Sequence, residues 1–165
     1  MRNGLIKAAA LVFGMFCYAG SAFAVPVQYD FTASGFTASA GHAAPTDPVV
    51  GSVTLDGVTV DAINLTIDSH TYSLGEVGAE AWGSGVLVGG TATALNAITW
   101  GTNDFWFIFN PTSLSFENFA YSSASVTDFF NASTGTVSVP EPGTLALMGL
   151  AVLGAAASRR KNKSA

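Results

Sequence analysis

The sequence predicts an all-β body, built as an antiparallel β-sandwich or jelly roll. Three observations carry that reading. Between residues 25 and 139 the apolar residues recur mostly with period two. The apolar runs are short and are separated by Gly, Asn, Asp and Pro. No stretch of ten or more residues in this span has a clear helical stripe, so the strands must pack sheet on sheet.

The elements follow in order. Val27, Tyr29, Phe31 and Ala33 alternate with Gln28, Asp30 and Thr32, the pattern of a half-buried strand. Residues 35–48 read as a long loop. Val49, Gly51, Val53 and Leu55 alternate with Ser52 and Thr54, and Asp56-Gly57 then leads into Val58-Thr59-Val60. Two alternating runs joined by Asp-Gly are a strong hairpin signal. Ile63, Leu65 and Ile67 continue the pattern, Asp68-Ser69 can turn the chain, and residues 71–74 can return. Val86-Leu87-Val88 is bracketed by glycines, and residues 97–100 precede a turn at 101–104. Residues 105–109, Phe-Trp-Phe-Ile-Phe, are unbroken apolar, as expected for a strand covered on both faces, and stop at Asn110-Pro111. Residues 114–121 and 125–130 are weaker strands. The body therefore spans 25–130, and the Ser/Thr-rich stretch 131–139 reads as a spacer. About 115 residues are enough for one core, and without methionine that core rests on β-branched and aromatic side chains.

Both ends differ from the body. All six cations of the chain lie there: Arg2 and Lys7 at one end, Arg159, Arg160, Lys161 and Lys163 at the other. Residues 1–24 have the basic, apolar and small-x-small segments of a signal peptide, with Ala22 and Ala24 at the signal peptidase site and Val25 as the mature start. The single cysteine, Cys17, lies in the apolar segment without a convincing lipobox, so the mature chain has no thiol for a disulfide or a zinc site. At the far end, Val139-Pro140-Glu141-Pro142-Gly143-Thr144 leads into an Ala- and Leu-rich segment and then the Arg/Lys cluster. The purely apolar run 145–157 would extend roughly 20 Å as a helix at ~1.5 Å per residue, short for a bilayer core of ~30 Å. The basic cluster should stay in the cytoplasm and leave the body outside.

This combination resembles the PEP-CTERM protein-sorting signal of Gram-negative bacteria. The resemblance rests on Pro140-Glu141-Pro142, Gly143-Thr144, Gly149-Leu150 and Arg159-Arg160, and covers residues 140–165. It divides that span into a motif at 140–142, a hydrophobic transmembrane helix at 144–158 and a basic tail at 159–163, with Arg159, Arg160 and Lys161 as the cytoplasmic anchor. It also implies processing by the membrane protease-transpeptidase exosortase, an inner-membrane stage before processing, and hosts that make exopolysaccharide or biofilm. A generic C-terminal tail anchor is the competing reading of the same segment.

The body offers little chemistry. Ten carboxylates lie between residues 25 and 139 with no Lys or Arg, which argues against nucleic-acid binding and leaves backbone N–H, water, His or a metal cation as their partners. Calcium is the cation that oxygen ligands suit, and Asp56, Asp61 and Asp68 are close in sequence, although their spacing matches no calcium motif. Otherwise no cofactor is expected. The two histidines, His42 and His70, have no triad spacing, and His70 reads as a solvent-facing turn residue. Trp82 lies among glycines, and Trp100 and Trp106 flank a turn. The three could form a sugar platform, but Trp100 and Trp106 fit core packing better. The sequence thus points to an exported, non-enzymatic cell-surface or extracellular-matrix protein, with a carbohydrate-binding module as the alternative and a hydrolase as the remote third.

Overall fold

The computed structural model describes residues 25–90, 98–141 and 150. Two antiparallel sheets face one another. The five-stranded sheet has the order β11-β1-β3-β4-β5 and the six-stranded sheet the order β2-β10-β9-β8-β7-β6. The first sheet is made of β1 (Val27–Ser34), β3 (Val49–Asp56), β4 (Thr59–Ile67), β5 (His70–Thr71) and β11 (Thr134–Ser138). The second is made of β2 (Thr37–Ala38), β6 (Gly78–Trp82), β7 (Gly85–Gly89), β8 (Phe105–Asn110), β9 (Ser115–Ser123) and β10 (Asp128–Asn131).

The alternation in the sequence becomes the two faces of these sheets. Tyr29, Phe31, Ala33, Val53, Leu55, Leu65 and Ile67 form one inner face, and Val86, Val88, Phe105, Phe107, Phe109 and Phe119 form the other. Phe31 meets Phe107 at 4.4 Å between ring centroids, and Tyr29 meets Phe109 at 5.0 Å. The core is therefore largely aromatic, as the absence of methionine implied.

Two hairpins use the turn residues that the sequence offers. β3 pairs with β4 around Gly57-Val58, with Gly57 at φ +61°. β4 pairs with β5 around Asp68-Ser69, both in the left-handed region at φ 48° and 64°. The return after Ser69 is brief, because a 3₁₀ turn at Leu74–Glu76 carries the chain to the second sheet.

Three sequence expectations need correction. Residues 131–139 are not a spacer: Asn131 closes β10 and Thr134–Ser138 forms β11, which pairs with β1 from Asp30↔Ser138 to Ser34↔Thr134. The apolar signal there is weak because Gly135 lies where a side chain would overlap the Phe116 ring. Residues 105–109 are not covered equally on both faces. Phe105, Phe107 and Phe109 are buried in the core, whereas Trp106 and Ile108 are half-buried on the outer face. Trp100 is not a core residue but exposed, and residues 98–100 form no strand.

Candidate functional site

The body meets its C-terminal segment at the end of β11. β11 is an edge strand, and its last residue, Ser138, still pairs with Asp30. Val139, Pro140 and Glu141 then leave the sheet, exposed to solvent. Pro140 has no N–H to donate, so the ladder cannot continue through it. A single residue, Val139, separates the folded body from Pro140. Of the other sequence-predicted address residues, Ala22, Ala24, Pro142, Arg159, Arg160 and Lys161 lie outside the described residues, as does the segment 144–158 apart from Leu150, which is helical. Among the described residues no helix is long and apolar enough to cross a membrane.

The sandwich thus ends in the exposed segment Val139-Pro140-Glu141. Residues 138–161 match the family model of the PEP-CTERM protein-sorting motif. The chain carries that motif, which implies an exported protein sorted at its membrane-directed C-terminus by exosortase. Searches of curated proteins and of solved structures return no match.

The body carboxylates have the partners available to acids in a span without Lys or Arg. Asp128 is buried and accepts hydrogen bonds from the Ser39 hydroxyl at 2.7 Å, the backbone N–H groups of Phe129 and Ala40 at 2.7 and 3.1 Å, and His42 Nδ1 at 2.9 Å. Burial pushes its carboxyl up, but these bonds outweigh it and hold the group well below the usual range. The result is a clasp between β10 and residues 39–42 of the long loop. Burial likewise pushes Asp68 up, and the hydroxyls of Ser123 and Ser125 more than reverse that, so it too is lowered. Glu76 accepts the Ser73 hydroxyl at 2.6 Å and the Ser73 N–H at 2.8 Å, which lower it.

Neither histidine stands free. His70 is half-buried, 3.1 Å from Glu76 Oε1 through Nε2 and edge-on to the Tyr72 ring at 4.7 Å, rather than simply facing solvent. Ser73 bonds Glu76, so these three residues form a turn network and not a nucleophile–base pair. The calcium reading of Asp56, Asp61 and Asp68 does not survive the topology. Asp56 ends β3 opposite Thr59, the first residue of β4, and Asp68 follows the last, so the two lie roughly 30 Å apart at ~3.3 Å per strand residue. Among the described residues no group of three His, Cys, Asp or Glu side chains is placed to hold a metal ion.

Two surfaces remain. The outer face of the five-stranded sheet carries a groove of about 370 Å³ lined by hydroxyl and amide groups, including Thr32, Ser52, Asn64 and Thr136, with Asp30 as its one carboxylate. The outer face of the six-stranded sheet carries aromatic rings. Trp106 is half-buried there and donates from Nε1 to Asn118 Oδ1 at 2.9 Å. Phe129 lies 6.2 Å from Trp106 and 6.4 Å from the exposed Trp100. Trp82 is exposed at the far end of the β6–β7 hairpin, away from this group. Sequence reasoning missed Phe129. Its signal was present in Asp128-Phe129-Phe130-Asn131, where Phe130 is buried and its neighbour must point outward.

Proposed function

We propose that this chain is a non-enzymatic exported protein, displayed at the cell surface or in the extracellular matrix and associated there with exopolysaccharide or biofilm. The carrying observation is the junction itself, where the last strand of the β-sandwich runs without a spacer into the PEP-CTERM motif. An address attached directly to a compact body suits a protein that is delivered whole and remains where it is delivered.

The residue inventory supports a non-catalytic role. Asp68, Glu76 and Asp128 are taken up in local hydrogen-bond networks that keep them ionised, and both histidines are bound to carboxylates. The groove has one carboxylate, whereas glycoside hydrolysis ordinarily uses two.

Fractionation of cells making the chain with Pro140, Glu141 and Pro142 all replaced by alanine tests the proposal. The expected result is retention in the inner membrane with loss of surface or released protein. Unchanged processing and surface delivery would overturn it. The alternative reading, a carbohydrate-binding module, is favoured by the outward position of Trp100 and Trp106.

A further inference from the structure

On the outer face of the six-stranded sheet, Phe129 lies between Trp100 and Trp106. The register places Trp106 opposite Ala120, and Ala120 opposite Asn131, so a small residue separates the indole from an amide. Ile108 pairs with Asn118, whose side-chain oxygen accepts the indole N–H and fixes the ring. In the next row, Phe129 pairs with Ser122. Trp100 completes the line at 58% exposure, high for a tryptophan with no role in the fold. The rings are not coplanar: Phe129 makes an angle of 42° with Trp100 and 73° with Trp106. They form an angled cradle rather than a flat plate.

We propose that this cradle binds a single chain of a neutral, soluble polysaccharide. Trp100, Phe129 and Trp106 supply the stacking surface, and Asn118 and Asn131 are the flanking amides. The inference rests on the matrix-associated reading above and names the chemistry that would hold the body there. A pyranose presents a face of C–H bonds that packs on the electron-rich face of an aromatic ring, while its hydroxyls need donors and acceptors beside that ring. Aromatic rings interleaved with amides meet both demands. The hydrogen bond to Asn118 sets the Trp106 ring before the ligand arrives, which reduces the ordering cost of binding.

Charge and shape narrow the ligand further. The body has ten carboxylates and no Lys or Arg, so an anionic polysaccharide meets net repulsion and finds no cation to pair with. The angles between the rings suit a chain that can twist along them and do not suit the flat face of a crystalline glycan. Trp82 lies outside the cradle and serves as a control.

The test is affinity electrophoresis of the full chain in detergent, in native gels containing hydroxyethyl cellulose, galactomannan or alginate. The expected result is retardation by at least one of the two neutral polymers and none by alginate. Trp100→Ala should weaken that retardation on the order of tenfold, as expected for the loss of one aromatic contact, and circular dichroism should show its fold unchanged because Trp100 is exposed. Trp106→Phe keeps a ring but loses the bond to Asn118, and should give a smaller loss. Trp82→Ala should bind as the parent does. No retardation by either neutral polymer, retardation indifferent to Trp100 and Trp106, or retardation by alginate alone would overturn the proposal. This readout uses purified protein and does not depend on sorting, so its failure is distinct from failure of the Pro140-Glu141-Pro142 experiment.

Discussion

The rings of Phe31 on β1 and Phe107 on β8 stand 4.4 Å apart, joining the two sheets at the centre of the sandwich. Phe107 is wholly buried and also stacks on Phe109 at 4.6 Å. Phe107→Ala should therefore cost about 3–5 kcal/mol by removing the ring and leaving a cavity. Against a typical total of about 5–15 kcal/mol, that brings the body close to unfolding. Trp106→Ala, one residue away but on the half-buried outer face, should cost clearly less. Urea unfolding of the two variants followed by circular dichroism makes the comparison.

That contrast shows what could be read in the sequence. Alternation identified the inner residues of β1, β3 and β4, and Asp-Gly and Asp-Ser located their hairpins, because period two and turn chemistry are local signals. The run at residues 105–109 could not be divided into faces, since every residue in it is apolar and only the partner strands decide which side is covered. β11 was missed for a different reason. Thr-Gly-Thr-Val-Ser has almost no apolar pattern of its own, and its glycine is required by the ring of Phe116, which comes from β9. The sorting motif was fully legible because it is a linear signal, whereas the line from Trp100 through Phe129 to Trp106 exists only once the sheet is assembled.

The pairing of Gly135 with Phe116 gives a second prediction. A Cβ at Gly135 would overlap the Phe116 ring, although its backbone is not left-handed. Gly135→Val should destabilise the body by about 1–3 kcal/mol through overpacking. In a Phe116→Ala background the same substitution should cost much less, because the obstructing ring is gone. Thermal unfolding of the four proteins measures that coupling.

The body should be limited by titration at both ends of the pH range. Asp68, Glu76 and Asp128 are lowered in the folded state, so their contribution is complete above the ordinary carboxylate range and is lost as pH falls below about 4. Asp128→Asn should flatten the acid limb of the stability curve while lowering stability at neutral pH. Burial pushes Tyr121 up to about 12 and Tyr72 higher still. Their contribution is complete below pH 10 and is lost as pH rises through about 12. Phenolate absorbance should therefore appear late, together with unfolding.

Trypsin should find no internal site between Val25 and Ser158, folded or in urea, because that span has no Lys or Arg. Cleavage should be confined to the basic tail and, in precursor, to the segment before Val25. Mass spectrometry of the digest reads this directly.

The PEP-CTERM motif implies that exosortase acts at the C-terminus of the exported body. Intact-mass analysis of the exported protein, from cells with and without the host exosortase, tests it most directly. The exported chain should begin at Val25 in both strains, with its C-terminal end altered only where exosortase is present. The same C-terminal mass in both strains would contradict it.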